Sequence, residues 1–447
     1  MSMRPLLFLL ALLPLTAEAA AASQAKPLNV LIVAADSLRP DHLSLYGYER
    51  PTSPHLDLRA KEAVVFDQAF AQGAYTLSSF ASLFTSRYPE QHHAVHKFAA
   101  LTEAETMLAE VFQKAGYRTG GLTGGPNLSC QYGFDKGFDS YLCGDLPRKL
   151  DAYIQPALRW IEKDRARPFL LFIQPQDVHP PFDMLALPEN ERNRWDPDYK
   201  GPIEDYLGSF FFFRAFTGES YQRNGPEPSA QLKKTLSELA KDPAARRHMA
   251  SVYDDRVAHL DASLDRFLVE LERRGILRDT IVVLLSDHGT LFGEGGNFAH
   301  GWHMSTHDAI FHVVLAFWAP GLAPRRIPSP VELVDVAPTL LDMAGLPRPE
   351  AFEGRSLTAL MRGREKPAER PVFGASSATV GTSNQLRHYV REAGWKLVAE
   401  EPGGKVSLFN LASDPEEVRD VSAENPGEVR RLSRLLPRHL QKLLSGL

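Results

Sequence analysis

Short apolar, β-branched runs recur along the chain at Val30–Val33, Phe169–Ile173 and Ile281–Leu285. Helix-period stretches at Glu103–Ala115 and Val257–Arg274 alternate with them. Runs apolar at every position, not every second one, suit strands buried on both faces. The alternation therefore predicts an α/β fold with a mostly parallel sheet flanked by helices. A polar, Pro-containing stretch at Arg362–Pro371 reads as a linker, followed by a hairpin over Tyr389–Val398 and a helix over Pro426–Leu444. Residues 180–250 break the rhythm with Pro180-Pro181, a charged stretch and Phe210–Phe213. They read either as an insertion over the active-site face or as a surface excursion with an aromatic staple. Trp195 and the phenylalanines would line an apolar or sugar-binding mouth, or seal a subdomain.

The first 25 residues read as a secretory signal peptide, with Arg4, an apolar run Pro5–Leu15 and the small-residue option Ala17-Glu18-Ala19. That run is shorter than the ~20 residues a spanning helix needs. The expectation is an exported protein, periplasmic or secreted, without a stable membrane span. A formal net charge of -5 with interspersed signs argues against a nucleic-acid partner. The two cysteines, Cys130 and Cys143, either close a short loop as a disulfide or remain free thiols. Oligomeric state is not legible in the sequence.

Candidate chemistry gathers at strand ends. Asp36 and Asp287-His288 each follow an apolar strand, and ligands of doubly wound sheets collect at carboxyl ends of strands. Alone, either Asp reads as a helix N-cap; two acids in the same local setting, one beside a His, point to a divalent metal. Thr76 precedes a helix expected over Ser79–Thr85. A bound cation makes a hydroxyl more acidic, so Thr76 is a candidate nucleophile and ligand; the alternative is a plain N-cap.

Asn29-Val-Leu-Ile-Val-Ala-Ala-Asp36, Arg50-Pro-Thr-Ser-Pro-His-Leu-Asp57, Ala81-Ser-Leu-Phe-Thr-Ser-Arg-Tyr-Pro89, Leu284-Leu-Ser-Asp287-His288-Gly289 and Leu333–Leu346 resemble landmarks of the sulfatase family, within the alkaline phosphatase superfamily. The resemblance covers nearly the whole chain beyond residue 25. It implies a catalytic unit over 26–362 and a C-terminal subdomain over 363–447, a small antiparallel sheet with a helix. It also implies a sulfate- or phosphate-ester substrate and one divalent ion (Mn, Zn or Ca) on Asp36, Thr76, Asp287 and His288. Oxygen and imidazole donors suit Mn and Zn, and Ca less. Asp255-Arg-Val-Ala-His259 resembles the Asp-x-x-x-His spacing of two-metal alkaline phosphatase relatives, which would imply a second ion there; it also lies on a helix where sulfatases commonly show Asp and Tyr.

The chain departs from the family where the chemistry is done. Sulfatases oxidise a Cys or Ser to formylglycine at the position of Thr76, and Thr carries a methyl where that aldehyde forms. Phe80 stands at the family's Arg position and Ser37 at its second Asp, while Thr123-Gly-Gly-Pro-Asn127 replaces a Lys-x-His. Asn127 is then a neutral substrate-binding donor. His179, in Asp177-Val-His179-Pro, and His300 or His303 match later family histidines and are candidate proton or hydrogen-bond donors. His92, His93 and His96 read as loop surface. This pattern resembles relatives that use a metal-bound Thr, such as phosphoethanolamine transferases and lipoteichoic acid synthases. It leaves three readings: an ester hydrolase, a phosphoryl-group transferase, and a non-catalytic binding protein on the same fold.

Overall fold

The computed structural model describes residues 26–96, 99–143, 148–180, 182, 187–203, 230–300, 304–377 and 385–444. The signal-peptide reading of residues 1–25, Phe210–Phe213 and His303 fall outside these residues. In chain order the strands are Asn29–Ala34 (β1), Val64–Phe70 (β2), Arg118–Leu122 (β3), Ser140–Leu142 (β4), Phe169–Ile173 (β5), Thr280–Leu285 (β6), Leu291–Phe292 (β7), Phe298–Ala299 (β8), His312–Val313 (β9), Leu315–Trp318 (β10), Arg325–Glu332 (β11), Val372–Ser377 (β12), Leu386–Glu392 (β13), Trp395–Glu401 (β14) and Val406–Asn410 (β15).

The large sheet runs β11-β2-β10-β6-β1-β5-β3-β4, with β9 paired to β2. Its pairings are parallel except those made by β9 and β10. β1 sits between β5 and β6, which explains its unbroken apolar sequence: Val30, Ile32 and Ala34 pack into one core and Leu31 and Val33 into the other. One core takes in the helix Thr76–Thr85, and the other takes in Leu260, Leu264 and Phe267 of the helix Pro243–Arg273. Burying a large apolar side chain contributes roughly 1.5–3 kcal/mol, so this doubly covered strand is a rigid base for the residue that follows it.

Three helices differ from expectation. The expected helix over Ser79–Thr85 begins at Thr76, with Tyr75 in the N-cap position; all ten of its residues are buried, so tertiary packing overrides the weak propensities of Thr and Ser. Thr76 is thus the first helical residue and not an N-cap. The helix expected from Val257 starts at Pro243, inside the 180–250 stretch that breaks the strand–helix rhythm. The C-terminal helix divides into Pro426–Ser433 and Arg438–Leu443 because Pro437 cannot continue a hydrogen-bonded turn.

The second sheet is an antiparallel meander, β12-β13-β14-β15, with the expected hairpin turning at Ala393-Gly394. Val429, Leu432 and Leu440 from these two helices, with Leu436 between them, cover it. It is tied to the first body by the Ala375 N–H, which donates to the Gln72 carbonyl at 2.9 Å, and by the Tyr389 hydroxyl, which donates to the Ala71 carbonyl at 3.2 Å. Cys130 and Cys143 form a disulfide with Cα atoms 5.6 Å apart. Among the described residues, no helix is long and apolar enough to cross a membrane.

Candidate metal centre and nucleophile

The carboxyl ends of β1, β5 and β6 meet the first turn of the helix Thr76–Thr85. Asp36 lies two residues beyond β1, Asp287 two beyond β6 and Gln174 directly after β5. Asp36, Asp287 and His288 are all wholly buried, and one ligand atom from each lies within 4.8 Å of the others. His288 Nε2 is 3.3 Å from Asp287 Oδ2, 3.7 Å from Asp36 Oδ1 and 3.4 Å from Thr76 Oγ1.

Hydrogen bonds fix which atoms face inward. His288 Nδ1 is 2.8 Å from the Gly289 carbonyl, which can only accept, so the proton of a neutral ring sits on Nδ1 and the Nε2 lone pair faces the two carboxylates and Thr76. Asp287 Oδ1 accepts from the backbone N–H groups of Ser37 at 3.1 Å and His288 at 3.0 Å, whereas Oδ2 has no hydrogen-bond partner. Asp36 Oδ1 accepts from the Ser37 hydroxyl at 3.0 Å, and Oδ2 accepts from the amides of Gln174 at 2.7 Å and Gln176 at 3.2 Å.

Two buried carboxylates and an imidazole lone pair converge with the Thr76 hydroxyl as the sole donor among these side chains. Such a cluster is costly to desolvate unless a cation completes it. Burial and the neighbouring Asp36 push the Asp287 carboxyl well above the usual range, and burial brings His288 down to about 4. Both directions show acceptor atoms short of a positive partner. The donor set, two carboxylate oxygens, one imidazole nitrogen and one hydroxyl, fits a single divalent ion of the Mn or Zn type.

Arg39, two residues beyond Ser37, is engaged away from the cluster. The Arg39 guanidinium donates to the Thr290 carbonyl and pairs with Glu294 and Asp41. Phe80 is fully buried, its ring centroid 5.9 Å from that of Phe84 and 5.3 Å from that of Phe172, so its side chain is core and carries nothing to an anion. Asn127 lies half-buried in the turn Pro126–Leu128, which packs near the Thr76 helix. The same loop approaches the metal cluster closely. Gly124 N–H donates to Gln174 Oε1, and a Cβ on Gly125, whose φ is +78°, would sit 3.0 Å from Gln176 Nε2.

A row of imidazoles leads away from the cluster. The His300 ring lies 4.2 Å from His288 and 4.9 Å from His179, centroid to centroid. His300 is half-buried, with its Nδ1 enclosed and unpartnered, and desolvation of the ring together with its two His neighbours holds it well below the usual imidazole range. Between the expected alternatives, the structure thus places His300 beside His179 and His288; His303 is outside the described residues.

Two expectations are corrected. Asp255 and His259 do not converge: Asp255 takes the Arg194 guanidinium at 3.1 Å, while His259 lies 2.6 Å from Glu191 and 3.2 Å from Asp151. Their helical spacing serves ion pairs along a polar flank, not a second ion. His92 is buried, not loop surface; its Nδ1 accepts from the Ala94 N–H and its Nε2 donates to Ser82 Oγ at 2.9 Å. The residues that sequence reasoning missed are Gln174 and Gln176. Their only signal is position, directly after a buried strand and just before Asp177-Val-His179.

The mixed sheet and the acid–imidazole–hydroxyl cluster at its carboxyl edge define a sulfatase-like ester hydrolase. The Sulfatase family model matches residues 28–346, and the model described as N-sulphoglucosamine sulphohydrolase, C-terminal, matches residues 300–445. The chain belongs to the sulfatase family. It is 24% identical to arylsulfatase K of Bos taurus over 89% of this chain and 79% of that one, and 23% identical to an arylsulfatase of Clostridium perfringens over 92% and 94%. Two solved structures share the fold. One, in complex with its substrate D-glucosamine-2-N,6-O-disulfate, has a TM-score of 0.70 at 20% identity and covers 94% of this chain and 99% of its own. The other is the phosphonate monoester hydrolase of Agrobacterium radiobacter, with a TM-score of 0.70 at 21% identity over 94% and 95%.

Proposed function

We propose that this chain is an exported, divalent-metal-dependent hydrolase of sulfate or phosphate esters with Thr76 as its nucleophile. One observation carries the reading: Thr76 Oγ1, almost fully buried, stands 3.4 Å from His288 Nε2 of the Asp36–Asp287–His288 cluster. Asp36, Asp287, His288 and Thr76 would hold the ion, which supplies Lewis acidity and makes a hydroxyl in contact with it more acidic.

Thr76 gives up its hydroxyl proton to solvent, and Oγ1 forms the new bond to phosphorus or sulfur as the bond to the ester oxygen breaks. The departing oxygen takes a proton from His179, while His300, kept neutral by desolvation and its two His neighbours, offers a hydrogen bond. Water, giving one proton to the now neutral His179, then attacks the same phosphorus or sulfur; the bond to Thr76 Oγ1 breaks, Oγ1 takes a proton from solvent, and the acid product is released. The first N–H groups of the Thr76–Thr85 helix and the Asn127 amide are donors for non-bridging oxygens. Because Thr cannot supply a hydrated aldehyde, release depends on attack by water, which favours phosphoesters over sulfate esters. Residues 26–362 would form the catalytic unit and 363–447 its C-terminal subdomain. Export rests on the character of residues 1–25 and on the Cys130–Cys143 disulfide, which persists in oxidising compartments.

The test is turnover of matched aryl sulfate, phosphate monoester and phosphodiester by metal-loaded protein, with Thr76→Ala as control. Loss of turnover in the variant supports the nucleophile; unchanged turnover sinks it. A second reading has its own observation. Buried Phe80 leaves no guanidinium at the position where the family places one, as a metal-holding but non-catalytic binding protein would. Folded, metal-bound protein silent on all three esters would favour it.

A further inference from the structure

A second group of metal-capable side chains lies in the C-terminal sheet, away from Thr76. His388 on β13, Glu401 at the end of β14 and His439 in the helix Arg438–Leu443 each present one ligand atom within 4.8 Å of the others. His388 Nε2 is 3.0 Å from Glu401 Oε2, and His439 Nε2 is 3.6 Å from that same oxygen. Ligands of a tetrahedral Zn²⁺ at roughly 2.0–2.1 Å stand about 3.3 Å apart, so these separations are those of a set waiting to close on an ion. The fourth position faces outward, where the His439 and Glu401 side chains are 49% and 34% exposed.

A separate contact points the same way. His388 Nδ1 lies 2.9 Å from Glu90 Oε1, a carboxylate on the short helix Pro89–His92 of the first body. A ligating histidine usually gives its other ring N–H to a carboxylate, which fixes the tautomer and aims the remaining lone pair at the ion. His388 is 2% exposed and cannot turn away from this arrangement. The opposing arrangement is a doubly protonated His388 bridging Glu90 and Glu401, and the carboxylates do raise its basicity. That arrangement has no need of His439, whose ring centroid is 6.0 Å from that of His388.

We infer that His388, Glu401 and His439 form a structural site for a zinc-type divalent ion, oriented by Glu90, which staples the last helix to the C-terminal sheet. The ion takes no part in ester hydrolysis.

The test uses full-length protein stripped by chelator, then titrated with Zn²⁺, and with Co²⁺ for the visible absorption of a tetrahedral site. Wild type, His439→Ala and Asp287→Asn are compared for ions bound per chain and for melting temperature. The expected result is two ions in wild type and one in each variant, with Zn²⁺ raising the melting temperature of Asp287→Asn but raising that of His439→Ala less. One ion in wild type that His439→Ala abolishes and Asp287→Asn keeps would support this site while sinking the catalytic one. Equal stoichiometry in wild type and His439→Ala, each with the melting temperature of its stripped form matched, would overturn the inference.

Discussion

The backbone N–H of Ser37 donates to Asp287 Oδ1 at 3.1 Å, joining the ends of β1 and β6, and it does so from a left-handed conformation with φ of +64°. That bond turns Asp287 Oδ2 towards His288 and Asp36, while the Ser37 hydroxyl steadies Asp36 Oδ1. A non-glycine residue held at such a φ is strained by on the order of 1 kcal/mol or more, and persists only where its surroundings over-determine it. Replacing Ser37 with Val adds branching at a backbone conformation that resists it and removes the hydroxyl. Ser37→Val should therefore destabilise the fold by about 2–3 kcal/mol and weaken divalent-ion binding. Urea unfolding with and without metal checks both; an unchanged midpoint would mean the φ of Ser37 is not imposed by the site.

Gln174 shows how the carboxylates are aimed. Its Oε1 accepts from Gly124 N–H at 3.3 Å, which leaves Nε2 to donate to Asp36 Oδ2 at 2.7 Å. Gln174→Leu keeps the volume but strands one carboxylate oxygen on the Gln176 amide alone. Loss of such a partner typically lowers metal affinity by about 10–100-fold. Calorimetric titration of the stripped variant checks this, and affinity equal to wild type would show that Gln176 suffices.

Asp177 offers a pH signature. Burial raises its carboxyl to about 6, Oδ2 accepts from Leu150 N–H at 2.8 Å, and Oδ1 has no partner. Because the folded value lies above the unfolded one, the folded state holds the proton more tightly, and stability falls as pH rises from about 4 to about 6. Asp177→Asn keeps an acceptor for Leu150 and removes the charge. Its stability relative to wild type should grow by on the order of 2–3 kcal/mol between pH 4 and pH 7, read as the difference between two urea-midpoint series. Parallel series would show that Asp177 does not titrate in this window.

Much of this was legible in the sequence where one local signal sufficed. β1, β5 and β6 contain continuous apolar runs, and Asp36 and Asp287-His288 lie just beyond the ends of β1 and β6. β11 was hidden because Pro328 and Pro330 interrupt it, and its register to β2 shifts between Ile327 and Pro330. β2 was hidden by Asp67 and Gln68 within an otherwise apolar stretch. The supporting amides of Gln174 and Gln176 have no spacing signature at all, since their role exists only once β5 lies beside β1. The start of the Thr76 helix was misplaced because Thr and Ser favour turns locally, whereas burial of the whole segment decides in favour of helix.

Phe80 sharpens the question of why the family's cation is missing. It sits one helical turn after Thr76, so the same short helix carries the nucleophile candidate on a polar end and packs Phe80 against Phe84 and Phe172 in the core. Restoring a cation there is not a local edit. Phe80→Arg would drive a guanidinium into a space filled by aromatic rings, where an unpaired charge and a lost apolar side chain both count against it. The expected loss is about 3 kcal/mol or more, seen as a large drop in melting temperature, with no gain in ester turnover. A variant that melts near wild type and hydrolyses esters faster would show instead that this end of the helix can turn Arg towards Thr76, and that the pocket tolerates the charge it lacks.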